Sequence, residues 1–161
     1  MILRATQAGQ RGSVIVESVI AMLSISVLLC AFLEFGVMTS AYMALDNAVN
    51  ASCKELSLNT ELNQTQLKSI AIQAEPALKS NKLTLAYSVS EPTFHRYTHN
   101  LPDGAGSRES TTHHKDVGVS LSYRLDAITF IGKLLYKDDV LEIKASTSLV
   151  ADSTIEGGQR W

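Results

Sequence analysis

Residues 11–36 read RGSVIVESVIAMLSISVLLCAFLEFG, and the organisation of the rest of the chain follows from how this stretch is read. Sixteen consecutive residues, Ser18 to Leu33, carry no charge, and Val14 to Leu33 matches the roughly 20 residues a helix needs to cross a hydrocarbon core. No Lys or Arg stands between Arg11 and Lys54. Arg4 and Arg11 precede the run with no acid beside them, the asymmetry that holds an N-terminus in the cytoplasm. The remainder is therefore expected outside the inner membrane, as the outer part of a single-pass protein. Glu17 and Glu34 bracket the run, and each needs an explanation, because a carboxylate opposes insertion into lipid.

The apolar pattern does not stop at Glu34. Met38, Ala41, Tyr42, Leu45, Ala48, Val49 and Leu56 continue at helical spacings with no proline, which predicts one helix from Ser13 to about Leu56. Such a helix extends ~65 Å at 1.5 Å per residue, so about half of it projects beyond a ~30 Å core and needs a partner surface. A second, short helix is predicted in NQTQLKSIAIQAEPALK, with Asn63 as N-cap, Leu67, Ile70, Ala71, Ala74 and Leu78 on one face, and Pro76 to end or kink it.

Beyond Asn81 the period changes to alternation. Leu83, Leu85, Tyr87 and Val89, then Val117, Val119, Leu121, Tyr123 and Leu125, then Leu141, Ile143, Ala145, Thr147 and Leu149 each line one face of an antiparallel strand. Residues 91–115 hold Pro92, Pro102, Asp103-Gly104 and Gly106 and read as a long surface loop. AITFIGKLLYK, 127–137, reads as a short helix or as a hydrophobic crossover on the sheet. The expected fold class is α+β: a long N-terminal transmembrane helix, a short second helix and a small antiparallel sheet of three to four strands. The divisions are a leader over 1–12, a transmembrane half over 13–35, a periplasmic helical region over 36–80 and a β-rich domain over 81–161.

With the order of the residues set out, a family resemblance emerges. A short basic leader ending in Gly12, four residues (Ser13, Val14, Ile15, Val16), then Glu17 inside an apolar helix resembles the type IV prepilin signal. RGSVIVES followed by LEFGVMTSAYMALDNAVNASCKE resembles the TadE/TadF-like pseudopilins of tight-adherence (Flp) pilus systems, over Arg11 to Glu55 in sequence and only in architecture beyond. Ser18 stands where an aromatic residue often follows the glutamate. The resemblance implies cleavage by a prepilin peptidase between Gly12 and Ser13, and an assembly role for Glu17, whose carboxylate would pair with the new terminal ammonium of its own or a neighbouring chain. It further implies a minor pilin that helps initiate or regulate a type IVb pilus. Its partners would be other pilins or pseudopilins, an inner-membrane platform, a cytoplasmic assembly ATPase and membrane lipid. The reading from another class is an uncleaved single-pass inner-membrane protein whose outer domain binds an envelope partner or ligand.

Glu34, seventeen residues and ~25 Å beyond Glu17, reads as a boundary acid at the opposite interface, with an inter-subunit contact as the second reading. Cys30 and Cys53 would lie ~35 Å apart on one helix, too far for a disulfide. Cys30 reads as a packing residue, and Cys53 as a free thiol or an intermolecular link.

Other functions lack their signatures. Charged residues make up 19% of the chain, the balance is −2, and no basic run of five or more occurs, so no nucleic-acid partner is expected. His95 and His99, four apart between Pro92 and Pro102, and His113 and His114 have no helix and no completing ligand, so they read as solvated loop residues with no metal. There is no G-x-S-x-G, phosphate loop or H-E-x-x-H, so no enzyme and no cofactor are expected. VLLC, 27–30, lacks the small residue a lipoprotein box needs at Leu29, and Thr39 and Ala41 offer signal peptidase only a late, poor site.

Overall fold

The computed structural model describes residues 3–100 and 107–156, the side chains of 3–13, 99–100, 107–108 and 152–156 excepted. It is an α+β chain: helices α1 (Leu3–Leu58) and α2 (Gln64–Ala74), strands β1 (Leu83–Val89), β2 (Thr93–Asn100) and β3 (Ser107–Asp126), helix α3 (Phe130–Leu135) and strand β4 (Val140–Glu156). Helix α1 begins ten residues before the expected Ser13, because extending a nucleated helix adds one hydrogen bond per residue fixed and outweighs the glycines at 9 and 12.

Two compact units divide the chain. One comprises Met1–Ser40 and Leu125–Leu141, the other Ala41–Arg124 and Glu142–Trp161. The segment between β3 and β4 thus groups with the first part of α1 and not with the sheet.

In the larger unit, Leu45, Ala48, Val49, Ser52, Cys53 and Leu56 recur at intervals of three and one, which puts them on one stripe of α1, and all are buried. The stripe lies against the sheet and α2. Cys53 Sγ reaches the carbonyls of Val117 and Thr147, each at 3.8 Å, and Ser52 Oγ donates to Ala48 O at 2.8 Å and lies 3.4 Å from Leu67 O. Leu67 and Ala71 supply the buried face of α2. That helix starts at Asn63, whose side chain accepts from Gln66 N at 2.9 Å while Gln66 Oε1 accepts from Asn63 N at 3.0 Å, a reciprocal capping box. It stops at Ala74, ahead of Pro76.

The sheet has four strands with β3 paired to all three others. Strand β1 runs antiparallel to the second half of β3, Leu83 opposite Tyr123, Leu85 opposite Leu121 and Val89 opposite Val117, so the apolar faces predicted for the two strands coincide. Val117, Val119, Leu121 and Tyr123, with Leu83, Leu85, Ile143 and Ala145, form the sheet side of the core.

The expected loop over 91–115 is largely strand. Strand β2 pairs with the first half of β3 from Thr93 opposite His114 to Asn100 opposite Ser107, extending the β1–β3 ladder into one long hairpin. Three residues, 90–92, face two, 115–116, so Pro92 sits in a bulge where its missing N–H breaks no regular pair. Ser90 closes the bulge: its N–H donates to Asp116 O at 2.8 Å, and its Oγ accepts from Asp116 N at 2.8 Å. Residues 101–106, with Pro102 and Asp103-Gly104, lie outside the described residues.

Cys53 is fully buried, which removes the intermolecular link from its two readings in the folded chain. In a Cys30→Ala background, maleimide labelling of Cys53 in detergent is expected to run at least about 100-fold slower than in urea, since only opening of the core exposes the thiol. Equal labelling in the two conditions, followed by mass spectrometry, would contradict this packing.

Candidate functional site

The apolar run is exposed over most of its length, with Cys30 and Ala31 half-buried. Every residue from Val14 to Leu29 is exposed. Helix α1 is long and apolar enough to cross a membrane, and none of its most apolar window is buried within the chain. Its hydroxyls are satisfied internally. Ser18 Oγ donates to Val14 O at 2.8 Å, Ser24 Oγ to Ile20 O at 2.9 Å and Ser26 Oγ to Met22 O at 2.9 Å, the back-bonding that a side chain needs where no water is available.

Of the two bracketing acids, Glu17 is exposed, and among the described residues no donor bonds its carboxylate. Gly12 and Ser13 fall on the helical backbone of α1, and the side chain of Ser13 lies outside the described residues. The carboxylate that the fold builds on is Glu34.

Glu34 is 5% exposed, one residue past the apolar run. Its donors come from a segment 95 residues away. Thr129 N–H donates to Oε2 at 3.0 Å, Thr129 Oγ1 donates to the same oxygen at 2.9 Å, and Ile128 N–H reaches Oε1 at 3.4 Å. The Tyr136 phenol stands beside the same carboxylate. A buried carboxylate without partners costs several kcal/mol, and these three donors are what offset that cost. Glu34 is thus an internal anchor: the boundary acid that its position implies is covered by its own chain.

The returning segment has the local features this requires. Thr129 is the N-cap of α3, so its backbone is extended and its N–H is free to point away from the helix; its Oγ1 accepts from Gly132 N at 3.2 Å while donating to Glu34. One hydroxyl thus caps the helix and holds the carboxylate. Gly132 allows the approach: a Cβ there would collide with the Glu34 carboxylate, 2.8 Å from Oε2 and closer still to its other atoms. Tyr136 N–H closes the last turn onto Gly132 O at 2.8 Å, and Ala127 N–H donates to Asp139 O at 2.9 Å, tying the ends of the segment together. Asp138 and Asp139 turn the chain with φ of 56° and 61°, a region that aspartate enters more readily than most residues.

Burial, followed by the adjacent Glu34 carboxylate, pushes the Tyr136 phenol above its ordinary value of 10.0. The hydroxyl therefore remains a donor through neutral pH. Since the folded value exceeds the unfolded one, its contribution is complete below the ordinary value and is lost as pH rises through the folded one.

Three of the four histidines pack as rings on the hairpin; the side chain of His99 lies outside the described residues. Phe94 and His113 meet edge to face with centroids 4.5 Å apart, and His95 and His114 do so at 5.1 Å. Among the described residues no cluster of His, Cys, Asp and Glu is suited to a metal ion. Comparison with family models, curated proteins and solved structures finds no match to this chain.

The anchor generates a test. Glu34→Ala leaves buried donors unsatisfied at roughly 1–3 kcal/mol each, so hydrogen exchange at the Ile128 and Thr129 amides is expected to accelerate at least about tenfold. Gly132→Ala is expected to act in the same direction, and Tyr136→Phe more weakly. Unchanged protection in Glu34→Ala would show that the segment is held by something else.

Proposed function

We propose that the chain is a minor pilin or pseudopilin of a tight-adherence, Flp-type system: a structural subunit that is inserted in the inner membrane, trimmed after Gly12, and joined to related subunits through α1. The observation that carries this reading is the spacing from Gly12 to Glu17 at the head of an apolar helix whose residues from Val14 to Leu29 are all exposed. The basic leader with Arg4 and Arg11 supports it, as does the α+β architecture, a long N-terminal helix whose outer half backs a small antiparallel sheet.

The chemistry is direct. Hydrolysis of the Gly12–Ser13 peptide leaves an α-ammonium on Ser13, four residues from the carboxylate of Glu17. At the edge of lipid, where water no longer screens either charge, the two form a charge-assisted pair within one subunit or between neighbours. The exposed stripe of α1 then supplies the surface on which similar helices pack. Loss of Arg4 and Arg11 with the leader shifts the balance from −2 to −4, leaving a mature chain with no affinity for anionic surfaces through charge. The prepilin peptidase, the platform and the other pilins are the partners this function requires.

Intact-mass measurement of protein from its native host is expected to find Ser13 at the N-terminus, and Gly12→Ala to leave most of the chain as precursor. Glu17→Ala is expected to be cleaved yet to lower assembled pili by about tenfold or more, in line with the roughly 1.5–3 kcal/mol of a hydrogen bond to a charged group. A chain retaining residues 1–12 in a host with active peptidase would replace this reading with that of an uncleaved single-pass protein whose outer domain binds an envelope partner.

A further inference from the structure

Segment 128–135 places large apolar side chains in the open where a water-facing loop has polar ones. Ile128, Phe130, Leu134 and Leu135 are 61%, 58%, 83% and 71% exposed, and Leu134 is more exposed than any large apolar residue of the run of α1. Two of its polar or small residues face inward, Thr129 and Gly132, both buried against Glu34, while Lys133 is exposed. The segment is therefore inverted relative to an ordinary surface helix, with its hydrogen-bonding side spent on the anchor and its hydrocarbon side presented outward. Apolar surface gathered in this way marks a contact with something other than water.

The identity of that contact follows from where the segment is fastened. Glu34 directly follows the apolar run, so with Val14 to Leu33 in the hydrocarbon, its carboxylate stands at the outer boundary of the bilayer. Phe130, Leu134 and Leu135 project from the element bonded to that carboxylate. Nearby charges, Asp126, Lys133, Lys137, Asp138 and Asp139, nearly cancel, so nothing in the segment requires an anionic surface. Lys133 lies within α3, where a long aliphatic stem can rest along lipid while the ammonium reaches the headgroups.

We propose that residues 128–135 form a second membrane-contact element, seated at the boundary between headgroups and acyl chains, and that the Glu34 anchor sets its depth. The inference rests on α1 crossing the membrane and is independent of whether the chain is trimmed or assembled. It assigns the donors around Glu34 a reason: they replace the water that the bilayer edge withholds. The element also couples the tilt of α1 to the surface of the membrane, since rotation of the helix would lift these side chains out of lipid or drive them deeper.

The test uses the full chain carrying Trp161→Phe, which removes its one tryptophan, in vesicles of phosphatidylcholine brominated high on the acyl chain. Two separate readers are introduced, Phe32→Trp on α1 and Leu134→Trp on α3, both at exposed positions that tolerate the ring. Both are expected to lose roughly half or more of their emission relative to unbrominated vesicles, as rings within about 5–10 Å of the headgroup boundary do. A quenched Phe32→Trp beside an unquenched Leu134→Trp overturns the proposal while leaving the insertion of α1 intact. A blue-shifted but unquenched Leu134→Trp overturns it in favour of cover by a second copy of the chain. Loss of quenching at both positions overturns the insertion of α1 and the proposal with it.

Discussion

A carboxylate taken out of water must be given donors, and in this chain the obligation falls on Glu34. It directly follows an apolar run of bilayer length and is 5% exposed. Two peptide N–H groups and a threonine hydroxyl do the solvating, all from Ile128 and Thr129, with the Tyr136 phenol beside them. The consequences reach outward from that requirement. Thr129 must be an extended N-cap to offer both its donors to one side; Gly132 must lack a side chain; and the connection from β3 to β4 must be long enough to reach α1 and return.

The hydroxyls of the apolar run are satisfied within the helix. Ser18, Ser24 and Ser26 turn theirs back to carbonyls one turn earlier, so they leave no unsatisfied group on its exposed surface. Glu17 is the exception, an exposed acid with no partner among the described residues, and on the proposed function its partner is a terminal ammonium that exists only after cleavage. In the second unit the constraint is the ordinary one of water exclusion. The stripe from Leu45 to Leu56 buries against α2 and the sheet, and Cys53 packs there as a small apolar residue whose thiol meets two carbonyls.

Much of this was legible from residue order because it follows from local periodicity. The apolar run, the amphipathic continuation of α1, the Asn63 cap and the alternating faces of β1, the second half of β3 and β4 each repeat at a spacing that a short window contains. Strand β2 and the first half of β3 did not announce themselves. Their residues, from Phe94 to Thr98 and from Glu109 to Lys115, are exposed or only half-buried, so no apolar alternation marks them, and Pro92 and Pro102 suggest a loop. Backbone pairing in a hairpin needs no buried side, which is why pattern alone passed over it. The Glu34 anchor was hidden for a different reason: its partners lie 95 residues away, and no spacing links them. Only Gly132, three residues after a threonine at a helix start, hints at a close approach, and it does not say to what.

The coupling between Glu34 and Thr129 is the quantity on which this account turns. A double-mutant cycle with Glu34→Gln and Thr129→Val, read by denaturant unfolding of the full chain in detergent, measures it with the other contacts held fixed. The anchor requires a coupling free energy of about 0.5–3 kcal/mol, the range found for groups in contact within one hydrogen-bond network. Single substitutions whose effects simply add would contradict it, and the returning segment would then have to be held at α1 by its hydrocarbon alone.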